Sequence, residues 1–96
     1  MSPRTESSAY SRIIKGKTVY VYANDHGPPH AHAVMNQDPD GVIRFNLKTC
    51  DVLPEFHYNR EALRLWTRWR RHVQPYLEEM KIAFARQNPH LHGGQP

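Results

Sequence analysis

Three histidines stand close together in the segment His26-Gly27-Pro28-Pro29-His30-Ala31-His32, with Asp25 immediately before them. Imidazole titrates nearest to neutral pH of all side chains and is a frequent metal ligand. His30 and His32 are two residues apart, so on a strand they share one face. His26 lies across a proline-stiffened loop, close enough to turn back toward them. Three chemistries are open to this set. His26, His30 and His32, with Asp25 as an oxygen donor, suit zinc or another divalent transition metal with a position left for water. His30 and His32 can instead divide the proton donor and acceptor roles of a catalytic pair, as in RNA cleavage. In the third reading the rings only brace the loop, donating to backbone carbonyls that the prolines cannot pair. No serine or cysteine nucleophile signature accompanies them. Cys50, between Thr49 and Asp51, reads as a small core residue.

A second feature carries charge. Arg60, Arg64, Arg68 and Arg71 follow one another at spacings of four, four and three. At the helical turn angle they cover an arc of about 80° on one face. Ala62, Leu65, Trp66, Trp69 and Val73 lie roughly opposite, which makes the tryptophans core residues and not a base-stacking platform. The arginine stripe is either solvated surface or a docking face, since the planar guanidinium suits phosphate and carboxylate. Arg70 and His72 widen the positive region. The whole chain has 13 basic and 9 acidic residues, a net charge of +4 and a pI near 9.5. That balance points toward an anionic partner, either nucleic acid or a small acidic protein.

These groups need a scaffold, and 96 residues allow one domain with a thin core. Residues 1–9 are polar and aperiodic and are expected to form a disordered N-terminal tail. Ser11-Arg12-Ile13-Ile14 reads as a short strand, Lys15-Gly16-Lys17 as a turn. Thr18-Val19-Tyr20-Val21-Tyr22-Ala23 reads as a strand with valines on one face and tyrosines on the other. His30 to Met35 leaves the Pro-Pro loop as another strand. Gln37-Asp38-Pro39-Asp40-Gly41 is a turn signal. Ile43, Phe45 and Leu47 then alternate with Arg44, Asn46 and Lys48, the period of a half-buried strand paired as a hairpin. Asn59 is a good N-cap. The helical series Ala62, Trp66, Trp69, Val73, Leu77, Met80, Phe84 is interrupted by Pro75, which predicts two helices meeting near residues 72–74. Residues 87–96 are expected to be a flexible C-terminal tail.

The run Asn24-Asp25-His26-Gly27-Pro28-Pro29-His30-Ala31-His32-Ala33, after a tyrosine-rich strand, resembles the signature of a small bacterial family known as domain of unknown function 4160. Members read Asn, an acid, His, any residue, Pro-Pro-His, any residue, His-Val. The likeness extends from about Tyr10 to Phe84. Ala33 departs from the usual valine, and the loop from Asn36 to Gly41 is longer than usual. The resemblance implies a compact sheet packed by C-terminal helices and a toxin–antitoxin-like setting with a small companion protein. It implies no activity.

The expectation is therefore an α+β protein: a small antiparallel sheet of three to four strands, followed by two C-terminal helices packed on one face, as a single domain over 10–86. No apolar run approaches the roughly 20 residues that span a bilayer. A lone cysteine and a polar N-terminus fit a cytoplasmic protein. Its function reads first as a basic binding or regulatory module of toxin–antitoxin type, docking an acidic protein or nucleic acid through Arg60, Arg64, Arg68 and Arg71. The alternative is a small nuclease using His26, His30 and His32, with or without metal. Self-association into a homodimer through an exposed strand edge is a third reading.

Overall fold

The computed structural model describes residues 8–22 and 28–87. Four strands form one antiparallel sheet in chain order: β1 (Ser8–Ile14), β2 (Lys17–Tyr22), β3 (His30–Val34) and β4 (Val42–Asn46). The tails foreseen at 1–9 and 87–96 fall outside the described residues, except for Ser8, Ala9 and Gln87 at the ends of β1 and α2 (Leu77–Gln87).

The first hairpin closes on the pair Ile14↔Lys17 through a two-residue turn, Lys15-Gly16. Both turn residues have positive φ, 45° and 79°. That is the mirror-image turn whose twist matches the strands it joins, and glycine takes its second position without strain. The β3–β4 connection is built around Gly41. A Cβ there would come within 2.9 Å of the Asn36 backbone oxygen as well as 1.9 Å of its side-chain oxygen, so a larger residue would force the turn to shift.

Alternation along the strands sets two faces. Val19, Val21, Ala31, Ala33, Ile43 and Phe45 are fully buried on one of them, as the period of two required. The helical segment covers this face, with α1 (Arg60–Trp69) against β4 and α2 across β1, β2 and β3. Phe45 meets Trp66 at 4.8 Å between ring centroids, and Trp66 meets Trp69 at 5.7 Å. The Trp69 indole N–H donates to the Ile14 carbonyl at 2.9 Å, tying the helical layer to the end of β1.

The expectation of two separate helices is corrected. A 3-10 helix, Arg70–Tyr76, joins α1 directly to α2, so one helical stretch runs from Arg60 onward. Pro75 sits inside that 3-10 helix. Its fixed φ is helical, and the tighter winding confines the disturbance around the missing amide to a short segment. Beyond it the Leu77 amide resumes bonding, to the Gln74 carbonyl.

The two sheet edges differ. After β4 the Asn46 side chain accepts from the amides of Lys48 and Thr49, turning the chain back. Residues 51–53 then run beside β4, with Asn46 donating to the Asp51 carbonyl and Leu53 to the Arg44 carbonyl. β1 is the opposite edge. Among the described residues, no helix is long and apolar enough to cross a membrane.

Candidate functional site

β3 is an inner strand, and its pairing fixes the surroundings of the two described motif histidines. His32 stands opposite Tyr20 of β2 and Arg44 of β4. It therefore shares the sheet face turned away from the helices. Its ring stacks on Tyr20 with centroids 5.0 Å apart and planes within 1° of parallel. Tyr22 meets His32 edge-on at 4.9 Å. Two tyrosines at i and i+2 on β2 thus hold one histidine of the neighbouring strand between them.

His30 lies two residues beyond the last β2–β3 pair, Tyr20↔His32. Its ring is 5.2 Å from His32 and 5.9 Å from Phe84 of α2. His30 Nδ1 lies 2.9 Å from the Pro28 carbonyl. A carbonyl only accepts, so Nδ1 is the donor in this contact. Both side chains are 5% exposed.

The structure therefore brings His30 and His32 side by side, as the spacing required. His26 and Asp25 lie outside the described residues. Among the described residues, no group of three or more His, Cys, Asp or Glu side chains is arranged to hold a metal ion. Cys50 is buried, and burial raises its thiol pKa despite nearby Arg70, which disfavours the thiolate.

The arginines that the sequence grouped fall on two consecutive helical elements. Arg60, Arg64 and Arg68 are exposed on α1, where the Asn59 side chain caps the first turn by accepting from the Ala62 amide at 2.7 Å. Arg71 is exposed one turn later, on the 3-10 helix. None of the four has a carboxylate partner among the described residues. Arg70 behaves differently: it reaches Asp51 at 3.4 Å and lies over the Trp66 ring at 5.8 Å. Trp66 and Trp69 are buried.

Two clusters escaped sequence reasoning. Glu79 of α2 accepts from the Tyr10 hydroxyl and from Arg12 at 2.9 Å, and Arg12 also covers the Tyr76 ring at 4.6 Å. Burial first, then the hydrogen bond and negative charge of Glu79, pushes the Tyr10 phenol well above its ordinary pKa. Asn59, besides capping α1, donates to Asp38 at 3.0 Å and to Asp40 at 3.1 Å, locking the β3–β4 turn to the helix start. Both clusters join residues far apart in the chain, which only the assembled register reveals.

The family model described as domain of unknown function (DUF4160) matches residues 16–80. The chain belongs to that family. The match covers about two thirds of the sequence and starts and stops inside the Tyr10 to Phe84 span of the resemblance. No curated protein and no solved structure matches the chain. The DUF4160 fold seen here is a four-stranded sheet backed on one face by one continuous helical stretch.

Proposed function

We propose that this DUF4160 domain is a docking module of toxin–antitoxin type that binds a small acidic partner protein through the exposed arginines of α1 and the 3-10 helix. The observation that carries this reading is the set Arg60, Arg64, Arg68 and Arg71, all exposed and none paired with a described carboxylate. Unpaired guanidinium groups on one rigid helical stretch offer forked donors to carboxylates without first breaking internal ion pairs. Leu63 and Thr67, exposed among the arginines, add the mixed apolar and polar character of a protein interface. The buried tryptophans give no stacking surface for unpaired bases, which favours protein over single-stranded nucleic acid.

The nuclease reading draws less support. His30 and His32 are packed among Tyr20, Tyr22 and Phe84, and His30 donates to a backbone carbonyl. Such rings brace the sheet and the entry to β3 more readily than they meet a substrate.

The test is fluorescence anisotropy with a labelled polyglutamate peptide and, separately, a labelled DNA duplex, from about 0.05 to 0.5 M salt. The peptide should bind at low salt and weaken steeply as salt rises. The Arg64→Glu/Arg68→Glu variant should lose most of that binding. Preference for the duplex would turn the reading toward nucleic acid, and salt-independent binding or none would overturn it.

A further inference from the structure

The first strand ends beside a basic cleft, and its outer edge carries main-chain groups that no described residue uses. The hairpin turn fixes which groups these are. Ile14↔Lys17 closes a two-residue turn and is a hydrogen-bonded pair. Bonded and non-bonded pairs alternate along an antiparallel ladder, so Arg12↔Val19 is bonded while Ile13↔Thr18 and Ser11↔Tyr20 are not. The amides and carbonyls of Ser11 and Ile13 therefore point away from β2. β1 is the edge of the sheet, so they point out of it. Ser11, Arg12 and Ile13 are all exposed, and Ile13 is 72% exposed. A bare edge of this kind is a template for another strand.

On the helix-bearing side, the end of β1 borders an open cleft of about 270 Å³ lined by Ile13, Ile14, Lys15, Arg71, His72, Pro75 and Tyr76. Lys15 and Arg71 are exposed, and no carboxylate lines the cleft. Arg12, the next basic group along β1, is already held by Glu79. The positive charge at this spot is therefore concentrated on Lys15 and Arg71.

We infer that an extended acidic segment of a partner protein adds to the edge of β1 as a fifth strand and places a carboxylate in this cleft. The geometry states its pattern. A residue opposite Ile13 exchanges main-chain bonds with it and turns its own side chain to the face away from the helices, beside the exposed isoleucine. An apolar or β-branched side chain fits there. The neighbouring residue, opposite Ile14, points toward the helical side and into the cleft. A glutamate or aspartate at that position meets Lys15 and Arg71, with Pro75 and Tyr76 as walls. Main-chain bonds supply affinity and the alternate side chains supply selectivity. Arg71 belongs to both this cleft and the basic helical stretch. The inference thus rests on the acidic-partner reading and says where one segment of that partner goes.

The experiment uses the whole chain and a labelled short peptide alternating valine and glutamate, with a valine–lysine peptide as control. Binding is followed by anisotropy and mapped by backbone amide NMR. The acidic peptide should bind in a salt-dependent way, shift and protect the Ser11 and Ile13 amides, and leave the control unbound. Lys15→Glu/Arg71→Glu should weaken binding about tenfold or more, since each reversed charge faces the incoming carboxylate. Ile13→Pro removes one outward amide without touching the β1–β2 ladder and should have a comparable effect. If that variant unfolds, Ser11→Pro probes the same edge, and the charge-reversal variant tests the cleft independently.

Salt-dependent binding that maps to Arg60, Arg64 and Arg68 and survives Ile13→Pro would overturn the strand-addition inference alone. No salt-dependent binding of any acidic probe would overturn the docking function with it. Sedimentation showing a dimer, with Ser11 and Ile13 amides protected before any peptide is added, would assign the edge to a second copy and overturn the inference.

Discussion

Truncating His32 to alanine separates a bracing histidine from a chemical one. The ring is 5% exposed on an inner strand and touches three other rings: Tyr20 face to face, Tyr22 edge-on and His30 at a tilt. Aromatic pairs of this geometry contribute about 0.5–1.5 kcal/mol each beyond the area they bury. Because one ring serves all three, and because the vacated space collapses only in part, the loss should be about 3 kcal/mol, within the range for emptying a buried aromatic site. In a domain this small each kcal/mol moves the midpoint by about 4–8 °C, so Tm should drop by about 12–24 °C. His32→Phe keeps a flat aromatic ring and the stack and should recover at least half of the loss. Thermal melts followed by circular dichroism, with urea titrations as a check, measure both. A His32→Ala protein within about 1 kcal/mol of wild type, yet stripped of a measurable RNA-cleaving activity, would refute the bracing argument and revive the catalytic pair.

Tyr10 gives a pH signature. Its folded-state pKa lies above its ordinary value of 10.0, chiefly through burial and then through Glu79, so its contribution is complete below about pH 10. Above that, the unfolded chain ionises first and stability falls as pH rises. The gap between wild type and Tyr10→Phe, about 1 kcal/mol at pH 8, should therefore narrow by pH 11 in urea titrations; a constant gap would show that the phenol contributes nothing there. Asn59→Ala removes both the α1 cap and the donors to Asp38 and Asp40, and should cost about 1–2 kcal/mol by the same assay. Faster amide exchange over the β3–β4 turn should accompany it, because the Asn59 side chain carries the bonds to Asp38 and Asp40 beside the main-chain bond from its amide to the Asp40 carbonyl.

Strands β2 and β4 were legible because each shows its own period. Val19 and Val21 against Tyr20 and Tyr22, and Ile43, Phe45 and Leu47 against Arg44 and Asn46, assign their faces without help from the rest of the chain. Asn59 was readable as a cap for the same reason: the interaction reaches only three residues onward, to Ala62. Pro75 misled, since proline's effect depends on how the surrounding turns wind. A tighter 3-10 stretch carries it where an α-helix would break. The neighbourhood of His32 was half visible. Its side-by-side placement with His30 follows from spacing, but the stack on Tyr20 depends on the β2–β3 register across the Pro-Pro loop, which no local pattern sets. The basic cleft was invisible for a similar reason: Lys15 and Arg71 come together only when the 3-10 helix lies beside the end of β1.

The distribution of charge argues that the excess of +4 has a location and not merely a value. Most described carboxylates are engaged internally. Glu79 is taken by Tyr10 and Arg12, Glu78 by Lys81, Asp51 by Arg70, Asp40 by Asn59 and His57, and Asp38 by Asn59. Glu61, in the first turn of α1, is placed to favour the positive helix end. Apart from the Glu78–Lys81 pair within α2, these contacts tie a turn, an edge or a helix to its neighbour, and none reaches Arg60, Arg64, Arg68 or Arg71. Had the arginines served only solubility, interspersed acids at i±4 on α1 would stabilise the helix by a few tenths of a kcal/mol per pair and keep the surface charged. Position 60 has Arg64 at i+4 instead, and Arg64 has Arg68, so like charges are spaced to repel along the helix. With Glu61 the one acid on α1, three residues before Arg64, the stripe keeps an excess of positive charge, and the docking function proposed above would have a partner supply the missing carboxylates.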